Sequence, residues 1–400
     1  MENLPLKGIR VLDATHFMQG PLASQLLADL GAEVIRLEAP EGCVMRGQGI
    51  VLFGQNLNLP DNRAMIFEIS NRNKKGVSLD LRKPGAKEVV YRLAETCDVF
   101  VTNLTADSLC RFGIEEEAIR RHNPGIIYVQ GTAFGSKGPE GSYPGNDPTC
   151  VSRSGFMLSW LKGDEPIWPP HAISDVSSAT TLAFGAITAL LARQRLGIVQ
   201  SVEASQLGGM MWLQQLAISL CANIGGEFLK YDRRHGTDPL QNVYQCGDGK
   251  WIAIGLGRGD RDWVQLCGIM ALDRYIGDPR FTTSDARLAN GDELIVILDE
   301  AFTTKTREEW DGALRTTGLG FSIVNTVPDL FTDPQVIANE YLGDFASGFK
   351  LVNFPFQLGD SVVMPKGDSP TIGRDTMDIL TSLCGYSWEE AADLVSAGVV

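Results

Sequence analysis

Short runs of apolar, β-branched residues alternate with longer amphipathic stretches over the first 130 positions. Ile9-Arg10-Val11-Leu12-Asp13 reads as a strand, and Leu22 to Gly31 as a helix opened by Gly20-Pro21. Proline at the start of a helix fixes φ without removing an internal hydrogen bond, and Gly31 suits the stop. Glu33 to Glu38 is the next strand, so two strands joined through a helix predict a parallel βαβ unit. The order recurs with a helix over Pro84 to Thr96, a strand at Asp98 to Val101, a short helix over Glu115 to His122 and a strand at Gly125 to Val129. This is α/β order, in which ligands sit beyond the carboxyl ends of the strands. The turns after Asp13, Val101 and Val129 are therefore where chemistry is expected.

The pattern then changes. Asp175 to Arg195 is an alanine-rich apolar helix, and Ser205 to about Cys221 is a second. The apolar stretch Gly208 to Ile224 carries Gln214, Gln215, Ser219 and Asn223, and is expected to be a buried helix rather than a membrane span. Tyr244 to Cys246 and Trp251 to Ile254 flank Gly247-Asp248-Gly249 as a hairpin. Helices follow near Asp260 to Ala271 and Asp292 to Phe302, and another opens at Thr306, whose spacing to Glu309 is that of a capping box. A β run at Gly320 to Val324, a helix around Val336 to Tyr341 and a last helix opened by Ser387 and Glu390 complete the chain. A large domain over 1–224 and a smaller mixed α+β domain over 225–330 are expected.

At 400 residues and 44% apolar content, the chain can bury a substantial core, which excludes disorder. Its 35 basic and 49 acidic residues give a net charge of −14, so neither nucleic acid nor an anionic membrane is an expected partner. The eight cysteines are dispersed without a Cys-x-x-Cys pair, and there are only four histidines, so no metal centre is expected. Dispersed thiols suit a reducing compartment, and the opening residues have no basic region ahead of an apolar one; a cytoplasmic location is expected. Gly20 stands without the other glycines of a dinucleotide loop, Gly255 to Gly259 lacks a P-loop lysine and hydroxyl, and Gly-x-Ser-x-Gly is absent.

Asp175 opens the long apolar segment and admits two readings. It could cap the helix by accepting from the amides of residues 177 and 178. It could instead be a carboxylate nucleophile that the helix dipole keeps ionised.

Five fragments in order carry a resemblance that separates these readings. They are Thr15-His16-Phe17-Met18-Gln19-Gly20-Pro21 with Leu27 to Glu38; Asn71-Arg72-Asn73-Lys74-Lys75-Gly76 to Leu81; Asp98 to Asn103 with Phe112-Gly113; Ile127 to Gly135 with Gly138-Pro139; and Pro144-Gly145-Asn146-Asp147. Together they resemble the family III CoA-transferases, the group of the formyl-CoA:oxalate and carnitine CoA-transferases. Asp175 falls where that family carries its catalytic aspartate. Two departures stand out: Ala179 replaces the usual glycine four residues on, and Ile198 to Val202 replaces an Arg-Gly-Gln-x-Val stretch.

The resemblance implies a Rossmann-like large domain completed by a return segment over 331–400, in an interlocked homodimer. It implies transfer of coenzyme A from an acyl-CoA to a carboxylic acid, with CoA as substrate and no tightly bound cofactor. Asp175 would pass through an aspartyl-acyl anhydride and an aspartyl-CoA thioester. His16, Phe17 and Met18 would lie along the pantetheine arm, and Asn103, Leu104 and Arg111 near the nucleotide or pantetheine. Thr132 and Ala133 would border the centre opposite Asp175. The positive run Arg72, Lys74, Lys75 is either a solvated face or a contact for CoA phosphates. Trp160, Trp168, Trp212 and Phe156 are either acyl-pocket walls or core. Two other functions compete: a 2-methylacyl-CoA racemase, whose proton-relaying histidine is here Asn146, and a non-enzymatic CoA-binding protein.

Overall fold

The computed structural model describes residues 4–47, 51–52, 54–60, 63–159, 165–169, 172–226, 231–257, 259–345, 348–361, 363 and 367–400. By internal contacts the chain divides into two units, one of Met1–Met157, Pro166–Phe228 and Asn339–Val400, the other of Leu158–Glu165 and Leu229–Ala338. The smaller unit runs past the expected limit at 330 because its tail is tied to it: Asn325 Nδ2 donates to Asp333 Oδ2 at 2.8 Å, just before the helix Pro334–Ala338.

The larger unit is built on a six-stranded sheet of β1 (Arg10–Ala14), β2 (Glu33–Glu38), β3 (Lys75–Ser78), β4 (Val99–Thr102), β5 (Ile127–Thr132) and β6 (Val202–Ser205). The strands lie in the order β3-β2-β1-β4-β5-β6, and every neighbouring pair is parallel. Alternation along the strands explains the two-sided core. Leu12, Ile35, Phe100 and Tyr128 meet Val89, Val90 and Leu93 of the helix α2 (Ala86–Glu95) on one face. Val11, Val34, Val99 and Val129 meet Ala23 and Leu27 of α1 (Gln19–Asp29) and Ala179, Leu182 and Ala186 of a later helix on the other. Helix α1 starts two residues before Pro21, which lies in the first turn where amides have no intrahelical acceptor.

The edge strand β3 is guarded by the return segment. Gly76 N–H donates to Asp375 Oδ2 at 2.7 Å and Ser78 N–H to Thr376 Oγ1 at 2.9 Å, while Asp375 N–H donates to Gly76 O at 2.9 Å. The helices Thr376–Ser382 and Trp388–Ser396 follow, the second opened by the expected capping box of Ser387 and Glu390.

Between β5 and β6 lie α3 (Asp147–Arg153) and the 24-residue α4 (Ile173–Leu196); α5 (Gln206–Leu213) and α6 (Gln215–Ile224) follow β6. The expected single buried helix over Gly208 to Ile224 is corrected here. The chain breaks at Gln214, and α6 buries none of its residues. Trp212 is 69% exposed, Leu216 69% and Ile224 78%, so apolar side chains face outward, uncovered by the described residues. Helix α4 is long and apolar enough to cross a membrane by composition alone, yet its alanine stripe packs on the sheet.

In the smaller unit, β7 (Gln241–Gln245), β8 (Trp251–Gly255) and β9 (Phe321–Ile323) form an antiparallel sheet in the order β9-β8-β7. The hairpin pairs Tyr244 with Ile252, as the glycine-bearing turn predicts. Ile252, Ile254 and Tyr244 pack with Trp263, Leu294, Leu298, Phe302 and Trp310 of the helices Asp260–Met270, Gly291–Phe302 and Arg307–Arg315. Thr306 and Glu309 form the expected capping box.

Candidate active site

Strand order reverses between β1 and β4, and an open parallel sheet leaves a crevice at the carboxyl ends of the strands where it does so. A cleft of about 520 Å³ lies there. Phe17 and Gln19 enter it from the turn after β1, Asn103 and Leu104 from the turn after β4, and Thr132 and Ala133 from β5 and its end. Asp175 and Gln206 line it as well.

The two turns are clamped together. His16 N–H donates to Asn103 Oδ1 at 2.7 Å, and Asn103 Nδ2 donates back to His16 O at 2.8 Å. The next residue, Phe17, has φ of 57°, a conformation that costs a bulky side chain free energy and that the clamp sustains. Gln19 crosses under the cleft, its Nε2 donating to Thr132 O at 3.0 Å and Ser178 Oγ at 2.7 Å. Residue 131 must be glycine for this, since a Cβ there would sit 2.7 Å from Gln19 Oε1.

Asp175 does not cap its helix. The N-cap of α4 is Ala172, which offers no side-chain acceptor, and the first-turn amides are met by a different residue. Asp147 Oδ1 accepts from Ser174 N–H at 2.7 Å, from Ser174 Oγ at 2.7 Å and from Asp175 N–H at 3.3 Å. Asp147 is held at the first position of α3, which Asn146 and Thr149 cap reciprocally. The Asp175 carboxylate is thereby left for the cleft, where its Oδ1 accepts from Gln206 Nε2 at 2.6 Å.

The expectation that the helix dipole keeps Asp175 ionised is overturned by its surroundings. Burial and then the neighbouring Asp147 charge push its carboxyl up to about 7, against smaller downward contributions from the Gln206 amide and the Gln19 backbone N–H. Desolvation outweighs a dipole that acts with about half a charge. The result is a poorly solvated carboxylate, reactive once ionised, with its ionisation falling near neutral pH.

The residues expected from the sequence divide into three groups. Phe17, Asn103, Leu104, Thr132, Ala133 and Asp175 share the cleft. His16 lines a smaller adjoining cavity of about 190 Å³ with Leu104, Arg82 and Phe112, and Arg111 is exposed on the helix Ala106–Phe112, its guanidinium over the Phe112 ring. The others face elsewhere. Met18 packs in the interior with Cys43, Ile66 and Phe67.

Lys74 is wholly buried, and its three donors are spent on Asp13 Oδ2, Pro21 O and Asn71 Oδ1 at 2.7–2.9 Å. Arg72 is buried against Asp29 and Val352 O. Neither presents a donor to a phosphate; they are internal ties. Lys75, half exposed, pairs with Glu33 at 2.7 Å. Among the acyl-wall candidates, Trp160 lies outside the described residues, Trp168 and Trp212 are exposed, and Phe156 packs with Val151, Met157 and Met210; the described three do not line the cleft.

Sequence reasoning missed Gln19 and Gln206 as site residues and gave Asp147 no role at Asp175. Gln206 follows the carboxyl end of β6, so the rule that pointed to the other turns also covers it. Among the described residues there is no group of three or more His, Cys, Asp and Glu side chains suited to a metal ion.

Comparison with known proteins bears directly on this cleft. The sequence pattern of CoA-transferase family III matches residues 6–376. The (R)-2-hydroxy-4-methylpentanoate CoA-transferase of Clostridioides difficile is 30% identical over 403 aligned residues, covering 99% of each chain. The succinyl-CoA:glutarate CoA-transferase of Mus musculus is 29% identical, covering 99% of this chain and 90% of its own. The crystal structure of a CAIB/BAIF family protein from Brucella suis superposes with a TM-score of 0.84 at 27% identity, covering 96% of this chain and 100% of that one. The parallel sheet and the smaller antiparallel sheet match the fold of this family, and the chain belongs to family III of the CoA-transferases, which move coenzyme A from an acyl-CoA to a carboxylate.

Proposed function

We propose that Asp175 carries the transfer covalently, and the observation that bears most weight is its release from capping. Its own helix terminus is satisfied by Asp147, while its carboxylate faces the cleft with one oxygen held by Gln206. Attack of the other oxygen on the acyl-CoA carbonyl breaks the C–S bond and gives an aspartyl-acyl anhydride and CoA thiolate. The thiolate then attacks Cγ of Asp175, expels the donor acid as its carboxylate and leaves an aspartyl-CoA thioester. An acceptor carboxylate reverses both steps and leaves as the new acyl-CoA. The thioester bond energy is retained throughout, provided that water is kept out.

Phe17 and Leu104 would flank the pantetheine arm, with Asn103 clamping their two turns together. The nucleotide end would occupy the adjoining cavity at His16 and Arg82, within reach of Arg111. A homodimer is part of the same reading. Phe184 on α4 is 71% exposed, and Trp212, Leu216 and Ile224 also turn outward, large apolar side chains of the kind that association surfaces use. A second copy would cover them. A cytoplasmic location fits eight cysteines that are all free thiols. The racemase reading finds no support at Asn146, whose side chain is engaged as the cap of α3.

The test is a panel of acyl-CoAs (2-hydroxy-4-methylpentanoyl, succinyl, cinnamoyl) with the matching free acids, read by mass for new CoA esters. Transfer that Asp175→Ala abolishes while CoA still binds is the expected result. Near-normal transfer by that variant would end the covalent reading.

A further inference from the structure

We infer that the Gln206 side-chain amide is a catalytic oxyanion donor for the steps at the aspartyl carbon, distinct from whatever stabilises the acyl carbonyl. The inference rests on the covalent route through Asp175. Gln206 opens α5 directly after β6, with Ser205 capping that helix, and it is buried. Its orientation is fixed from behind. Cys150 Sγ lies 3.3 Å from Gln206 Oε1, and burial pushes the Cys150 thiol up to about 12, so it keeps its proton and donates. With the amide oxygen taken as acceptor, the NH₂ group faces Asp175 Oδ1 at 2.6 Å. A side chain locked at both ends pays no reorganisation cost during reaction.

The charge movements show when this matters. In the first step Asp175 attacks through Oδ2 and loses negative charge, so a donor on Oδ1 stabilises the starting carboxylate rather than the transition state. In the second step the thiolate sulfur bonds to Cγ, the C=O π pair moves onto Oδ1, and collapse of that alkoxide breaks the Cγ–Oδ2 bond. The donor acid leaves with Oδ2, and Oδ1 remains as the thioester carbonyl. Attack by the acceptor carboxylate on Cγ places charge on Oδ1 again before the thiolate leaves. In both steps at Cγ the developing oxyanion is therefore the oxygen that already accepts from Gln206.

Gln206→Met keeps the length of the side chain and removes its donors. Purified wild type and Q206M are mixed with the three panel acyl-CoAs without acceptor, quenched in acid, and read by intact-protein mass for acyl and CoA adducts. The CoA adduct should form roughly 100-fold more slowly in Q206M, the cost of losing one oxyanion donor. The acyl adduct should form at least as fast as in wild type, and calorimetry should give a CoA affinity within threefold. Cys150→Ala, which frees the amide to rotate, should slow the CoA adduct several-fold without touching the acyl adduct, and it reads the same step if Q206M folds poorly. Equal slowing of both adducts would reduce Gln206 to a structural support and overturn the inference, as would a wild-type rate of CoA adduct formation. A wild type that forms neither adduct would instead overturn the covalent route itself.

Discussion

Asparagine at position 175 keeps the size of the side chain and deletes its charge, which makes it a probe of what the buried carboxylate costs the fold. The carboxyl is raised from 3.8 to about 7 in the folded chain. A group whose folded value lies above its unfolded one holds its proton more tightly when folded. Its contribution to stability is complete below the unfolded value, near pH 4, and is lost as pH rises through about 7. At about 1.4 kcal/mol per tenfold change in proton affinity, holding Asp175 in its buried site costs the fold roughly 2 kcal/mol at pH 5.5, where the folded carboxyl is still protonated but the unfolded one is not, and roughly 4 kcal/mol at pH 8. D175N does not titrate, so its margin over wild type should widen by about 2 kcal/mol across that interval. For a unit of this size that is about 3–4 °C in melting temperature. Thermal melts of both proteins at matched concentration at the two pH values measure it. A margin that is the same at pH 5.5 and pH 8 would show that Asp175 is ionised throughout, and the argument from burial and Asp147 would fall.

Asp147→Asn retains an oxygen acceptor for Ser174 but removes the like charge, so the acid limb of kcat/KM, which reports ionisation of Asp175, should move below 7; a limb that stays in place would assign the shift to burial alone. Lys74→Met strands the buried Asp13 carboxylate, which burial raises but Lys74 and Arg36 together hold below its usual value. It should cost about 3–5 kcal/mol of stability by denaturant titration, with CoA affinity kept in whatever remains folded; selective loss of CoA affinity at unchanged stability would restore the phosphate role. Phe184→Asp combined with Trp212→Asp should convert the proposed dimer to monomer in analytical ultracentrifugation, and an unchanged sedimentation coefficient would overturn this placing of the interface.

Strands β1, β2, β4 and β5 and the helices with clear stops were legible because those signals are local: Gly31, the Thr306–Glu309 pair and the Ser387–Glu390 pair each act within a few residues, whereas β3 and β6, short and without such stops, were not expected. The turns that carry the cleft followed from that order alone. What escaped was decided by contacts remote in sequence. Lys74 and Lys75 look alike in a positive run, but adjacent positions at the start of a strand face opposite sides, so one is sealed in the core and the other reaches solvent. For Gln206 the strand-end rule could have marked the position, but not its role, which depends on a thiol 56 residues earlier and a carboxylate 31 residues earlier. Composition also misleads at α6, where an apolar segment suggests burial although none of its residues is buried among the described residues.

The guard on β3 sets a timetable for biosynthesis. Every strand of the parallel sheet has been synthesised once Ser205 has been added, yet the side chains that occupy the outward amides of Gly76 and Ser78 belong to Asp375 and Thr376. Throughout the intervening elongation the nascent sheet carries a bare edge, open to pairing with the same edge of a neighbouring chain on the same message. Native closure of the sheet is therefore tied to translation of the return segment, and ribosomes that stall or terminate ahead of residue 375 should yield aggregate rather than a soluble fragment.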